Sequence, residues 1–136
     1  ELISPDWLEK VNEMRTRLLR GKEIAEQMNI LGDDGVPVDY HISFWKAELL
    51  DFTILQQDAF DAIDANCPLE RQQMMLNLAI DICRAEFDLN QFTEVMDYFK
   101  RVINVLRQMN YSEYKSDRFY KYEQELNALI AERKKA

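Results

Sequence analysis

The sequence predicts an all-α protein, a single bundle of five or six helices filling residues 1–136. Three observations lead there. The 136 residues hold only three Gly and three Pro, while 47% are hydrophobic. A sheet protein needs a turn every ~8–12 residues and marks most of them with such residues. Apolar residues recur instead at helical spacing over long stretches. No repeat of fixed period is present, so a solenoid is not expected.

The elements follow in order. Ser4-Pro5-Asp6 is a helix start: Ser4 can cap, Pro5 suits the first helical position, and Asp6 favours the positive end of the dipole. Leu8, Val11, Met14, Leu18 and Leu19 form one apolar stripe. Gly21 costs about 1 kcal/mol against Ala inside a helix, so a break or bend is expected there. Ile24, Met28 and Leu31 continue a shorter stripe. Gly32-Asp33-Asp34-Gly35-Val36-Pro37 is the clearest loop, with Gly32 as a left-handed C-cap and Pro37 blocking helix continuation. A helix should start near Asp39 and run into Gln56-Gln57, presenting Phe44, Trp45, Leu49, Phe52 and Leu55. An irregular turn is expected through Phe60. The next helix should span about Pro68 to Glu86, with Met74, Met75, Leu78, Ala79 and Ile82 on its apolar face. Asp88-x-x-Gln91 carries a capping pattern. Phe92, Val95, Met96, Phe99, Val102, Ile103 and Leu106 then make the cleanest helical period of the chain. A Tyr-rich link over 110–116 precedes a last helix bearing Phe119, Tyr122, Leu126, Leu129 and Ile130, which ends in Glu132-Arg133-Lys134-Lys135.

Charge and composition exclude several functions. A net charge of −8 opposes nonspecific binding to nucleic acid, which needs clustered cations, and binding to an anionic membrane surface. No apolar run approaches the ~20 residues of a membrane span, so direct membrane insertion is not expected. The chain starts at Glu1 rather than Met and shows no signal peptide, which points to a fragment. Cys67 and Cys83 are expected as buried reduced thiols. His41, the sole histidine, is expected as a partly exposed helix residue, because a zinc site would need it to converge with both cysteines. A P-loop needs Gly-x-x-x-x-Gly-Lys-Ser/Thr, and Gly21, Gly32 and Gly35 all lack that context. No catalytic group, acid/base pair or metal site stands out.

Residues 56–60, Gln56-Gln57-Asp58-Ala59-Phe60, form the longest mixed polar and apolar interval between strong helices. On the residues alone, Phe60 and Ile63 would plug the core while their neighbours cap helices. That reading is favoured, though Phe60 could also offer a π-rich face to a planar ligand.

This region, FTILQQDAFDAIDANCPLERQQ, resembles the signature of the catalytic A subunit of vacuolar/archaeal-type rotary ATPases in its C-terminal region. The Gln56-Gln57 pair, Ala59-Phe60-Asp61, Asp64, Cys67-Pro68 and Gln72 stand in matching places. Asp6-Trp7 and the run from Glu23-Ile24 to Ile30-Leu31-Gly32 resemble flanking parts of the same region. The good correspondence covers roughly 6–73, and the rest matches only as helices of similar length. The resemblance implies that residues 1–136 are the C-terminal helical domain of a larger catalytic subunit. That subunit binds ATP or ADP with Mg and couples hydrolysis or synthesis to central-stalk rotation and to H+ or Na+ transport. It implies Phe60 as an aromatic wall near adenine, with Ala59 and Gln57 beside it. Asp58 stands where the family commonly has Asn, and is expected to face away or be paired. The loop carrying Asp33, Asp34, Val36, Pro37 and Asp39 takes the place of the tip that touches the rotating stalk. Implied partners are the nucleotide-binding domain of the parent chain, a neighbouring B subunit and a central-stalk subunit. The implied location is cytoplasmic, peripheral to the membrane through the ATPase complex. The fragment itself should be inactive and bind no nucleotide tightly. The rival reading is a non-enzymatic helical protein–protein interaction module, suggested by six methionines and an aromatic-rich surface.

Overall fold

Five helices and one 3-10 turn carry the chain: α1 (Pro5–Leu31), the turn Asp33–Gly35, α2 (Val38–Ile63), α3 (Leu69–Arg84), α4 (Phe92–Tyr111) and α5 (Asp117–Arg133). They come from a computed structural model. It describes residues 5–63, 69–112 and 115–135, and their side chains except at 5, 56–63, 69 and 70. Ser4, Asp64, Cys67 and Pro68 therefore lie outside the described residues. No strand occurs among the described residues.

α2 is the hub, packing against α1, α3 and α4, while α5 packs on α4. Side-chain contacts fix the directions. Gly21 faces Ala47, Val11 to Leu18 lie beside Ile54, and only residues 32–37 join the two helices, so α1 and α2 form an antiparallel hairpin, with Arg20 over the Tyr40 ring. His41 stacks on Phe92 and Arg107 lies over Phe52, so α4 runs parallel to α2. Tyr98 Oη donates to the Leu129 carbonyl at 2.8 Å, and Glu94 meets Arg133, so α5 runs back along α4. The core between them contains Leu49, Leu50, Met75, Phe99, Leu106 and Phe119, all fully buried.

Three local expectations change. α1 is unbroken at Gly21. A Cβ there would fall inside the contact distance of the Ala47 Cβ. The glycine lets two backbones approach closely and does not end the helix. The expected irregular turn through Phe60 is also absent, since α2 stays helical to Ile63. Between Val38 and Ile63 there is no Gly or Pro to stop it, and Ala59 and Ala62 favour continuation. Finally, Asp88 does not cap α4. The cap is Gln91, and the Glu94 carboxylate accepts from the Asn90 and Gln91 amides at 3.0 and 3.2 Å. Phe87 and Leu89 are buried, which keeps 85–91 irregular until that point.

Two cations close helix C-termini from neighbouring helices. Lys46 Nζ of α2 donates to the Ala85 carbonyl at 2.7 Å, just beyond α3. Burial holds its ammonium below the usual lysine range. Arg71 of α3 is buried and donates through Nη2 to the Asn110 and Met109 carbonyls at 2.6 and 3.3 Å, at the end of α4. Cations here satisfy carbonyls that the helices leave open and complement the dipole. The chain end adds a strap: Asp88 N donates to Arg133 O at 2.7 Å and Lys135 N to Glu86 O at 2.8 Å.

The α1 stripe read from the sequence is split. Met14 and Ile24 are buried, whereas Leu8 and Leu19 are 53% and 58% exposed. A charged link holds α1 to α3. Arg84 Nη2 and Nε donate to Glu13 Oε1 at 2.6 and 3.0 Å, and Arg17 Nε donates to Oε2 at 3.1 Å.

Two outcomes are expected from this packing. Gly21→Ala gains about 1 kcal/mol of helix propensity but overpacks the seam at a cost of ~1–3 kcal/mol. A lower denaturation midpoint is expected, and a raised one would contradict the close approach. Hydrogen bonding from Arg84, then Arg17, holds the Glu13 carboxyl below its ordinary 4.5. A depressed folded pKa stabilises above the unfolded value, and that contribution fades as pH falls through the folded one. The stability gap between wild type and Glu13→Gln should therefore be full near neutrality and close as pH drops below 4.5. A gap independent of pH in chemical denaturation would rule the link out.

Candidate functional sites at the two ends of α2

The tip begins where α1 stops. Gly32 has φ 80° and ψ 160°, a region that side chains rarely adopt. The left-handed C-cap expected from the sequence is met only in its positive φ, since ψ is extended. Its amide donates to Met28 O at 2.8 Å, closing α1. Gly35 N then donates to Gly32 O at 3.1 Å, and Val36 N to Asp33 O at 3.3 Å. Pro37 sits before α2, and its carbonyl accepts from the Tyr40 amide at 3.0 Å. Asp39 occupies the first turn of α2, where the dipole favours a carboxylate.

Asp33, Asp34, Pro37 and Asp39 are exposed at this tip, and Val36 is buried beneath it. The last turn of α1 adds Ile30 and Leu31, 81% and 60% exposed. The side chains offered to solvent thus include three carboxylates beside the aliphatic Ile30, Leu31 and Pro37.

His41 holds the tip. It is only 2% exposed, contrary to the expected partly exposed helix histidine. Its Nε2 is 2.9 Å from the Asp33 carbonyl, and since a carbonyl only accepts, Nε2 carries the proton. The ring stacks on Phe92 with centroids 5.2 Å apart. One polar contact and one aromatic face account for the burial. The sequence offered no signal for this, because Phe92 lies far along the chain. Lys46, Arg71 and the Glu13–Arg84 link were likewise invisible as pairs.

Gln57, Ala59 and Phe60 lie in the last turns of α2, at the opposite end from the tip. At ~1.5 Å rise per residue, about 30 Å of continuous helix separates Asp39 from Phe60. Their side chains, and that of Asp58, are outside the described residues. Among the described residues no cluster of three His, Cys, Asp or Glu could hold a metal. No helix among them is long and apolar enough to cross a membrane.

The His41 contact generates a prediction. His41→Phe keeps an aromatic face against Phe92 and removes the donor to Asp33. Stability should fall by about 1 kcal/mol, and hydrogen exchange at the Val36 amide should quicken most. Unchanged exchange there would mean that the loop holds itself.

Comparison with known proteins covers both ends of α2. The family model described as the C-terminal domain of V and A type ATP synthase matches residues 1–97. The V-type ATP synthase alpha chain of Protochlamydia amoebophila is 32% identical over 124 residues, 91% of this chain and 21% of that protein. Its namesake in Treponema denticola is 34% identical over 126 residues, 93% of this chain and 21% of that protein. The one in Borreliella burgdorferi is 34% identical over 121 residues, 89% and 21%. No solved structure matches. These alignments run well past residue 73, so the relationship is wider than the signature and its flanks. The chain spans about a fifth of the length of these relatives. With a family match over most of its length and relatives above 30% identity across nearly all of it, this chain belongs to the family of C-terminal domains of V- and A-type ATP synthases.

Proposed function

We propose that this chain is the coupling domain of a rotary ATPase catalytic subunit. It closes over the adenine side of a nucleotide site at one end of α2 and meets the central stalk at the other. The observation that carries this reading is the family match over residues 1–97, which includes the tip and the Gln57–Phe60 motif together. The fold supports it. A stiff α1–α2 hairpin with an exposed acidic and aliphatic tip can transmit displacement along its axis. α2 has no Gly or Pro at which to yield.

This chain has no phosphate loop, so other parts of the subunit would hold the phosphates and Mg, with a neighbouring B subunit completing the site. Phe60 would wall the adenine, with Ala59 and Gln57 beside it. ATP hydrolysis or synthesis, H+ or Na+ transport, and a peripheral cytoplasmic place in the complex belong to the whole assembly in this reading. The isolated domain would be inactive and bind nucleotide only at millimolar concentrations or above, about 4 kcal/mol or less.

The test is Phe60→Ala in the full subunit, with nucleotide affinity measured by titration. An aromatic contact worth ~0.5–1.5 kcal/mol predicts a loss of affinity of about two- to tenfold. Phe60→Tyr should bind nearly as wild type. Equal affinities for wild type and Phe60→Ala would remove the adenine wall. Tight Mg-dependent ATP binding by the 136 residues alone would contradict the division of labour.

A further inference from the structure

The tip is seated on two helices. His41, near the start of α2, donates from Nε2 to the Asp33 carbonyl at 2.9 Å, and its ring lies against Phe92 with planes 26° apart. Phe92 is the first residue of α4. One buried side chain therefore stands between the tip loop and the start of a second helix that runs parallel to α2. α4 is continuous from Phe92 to Tyr111, 20 residues without Gly or Pro, a length of ~30 Å. Its far end is tied as well. Arg71 Nη2 donates to the Met109 and Asn110 carbonyls, and Arg71 stands in the first turn of α3, just beyond residues 64–68 that follow α2. α2 and α4 are thus two struts joined at both ends, by His41 and Phe92 at the tip and by Arg71 at the end that carries Phe60.

We infer that α4 carries part of the tip's displacement to the far end of the bundle, and that His41 is the positioning residue through which the displacement enters α4. The inference rests on the proposed function, in which the tip is the moved part. Two properties of the joint support it. Packed interiors compress little and transmit strain, so rings in contact pass a push from the loop to α4. The two halves of His41 also have separate tasks. Its N–H holds the loop on the ring, and the ring bears on Phe92. A tip seated on α2 alone could tilt about the start of that helix. A seat on α2 and α4 together resists tilt, because buried Leu49 and Leu50 of α2 and Phe99 and Leu106 of α4 fill the core that sets the two apart. Displacement then moves the bundle as a body instead of being spent in bending its end.

Ions transported per ATP hydrolysed, measured with the whole ATPase complex in sealed vesicles, test this. The ratio does not depend on how much of the complex folds, so a loss of stability alone leaves it unchanged. Phe92→Leu removes the ring partner and keeps the His41 bond to Asp33. Phe92 is half-buried, so the fold should survive, and Phe92→Met is the second variant should it not. The expected result is a ratio below wild type, with hydrogen exchange at the Val36 amide unchanged. His41→Phe should lower the ratio as well. The double variant should be no lower than the lower single one, because both changes cut the same path. A wild-type ratio for Phe92→Leu would overturn the inference, and so would losses that add in the double variant. Reversing the tip charge with Asp33→Lys and Asp34→Lys checks the reading beneath it. An unchanged ratio there would remove the tip's part in the proposed function itself.

Discussion

The close approach of α1 to α2 at Gly21 and Ala47 sets the rest of the molecule. Helices packed through ordinary side chains stand 8–10 Å apart, and small residues let the axes come nearer. Here the seam falls about ten residues from the tip along each helix. It brings α1 against the hub and leaves the six-residue link 32–37 just long enough to turn the chain. The tip is thus the end of a two-helix beam whose members cannot slide or separate without opening a buried contact.

Around that beam, polar interactions do a different job from the core. Leu49, Leu50, Phe99 and Leu106 supply non-directional burial. Lys46 and Arg71 instead join particular carbonyls on particular helices, and so select one register among many that would bury similar area. His41 does the same for the tip, joining the loop to α2 and, through Phe92, to α4. Each end of the bundle is therefore pinned by a cation or ring reaching in from a neighbouring helix.

Much of the fold was legible in the sequence. The scarcity of Gly and Pro and the period of Phe92–Leu106 gave the class and the helices. The loop at Gly32–Pro37 was clear because both residues act locally. What escaped reading depends on partners distant in sequence. Gly21 reads locally as a breaker, and only Ala47 opposite it reveals a contact. His41 looks like a solvent residue until Phe92 is brought beside it. The cap at Gln91 was displaced because burial of Phe87 and Leu89 delays the helix. For the site, the motif at 56–60 was recognisable by its residues. Its position at the far end of a continuous helix from the tip was not, because a run of Gln, Gln and Asp resembles a turn until the helix is seen to pass through it.

Cys83 has a consequence of another kind. Its thiol lies buried between α3 and α2, 3.5 Å from the Lys46 carbonyl, and burial pushes it up to about 11. At neutral pH only about one molecule in ten thousand then carries the thiolate, the form that reacts with oxidants and electrophiles. A cysteine packed between two helices of the bundle is thereby kept chemically silent. Oxidation that modifies exposed thiols would leave this contact between α2 and α3 unchanged.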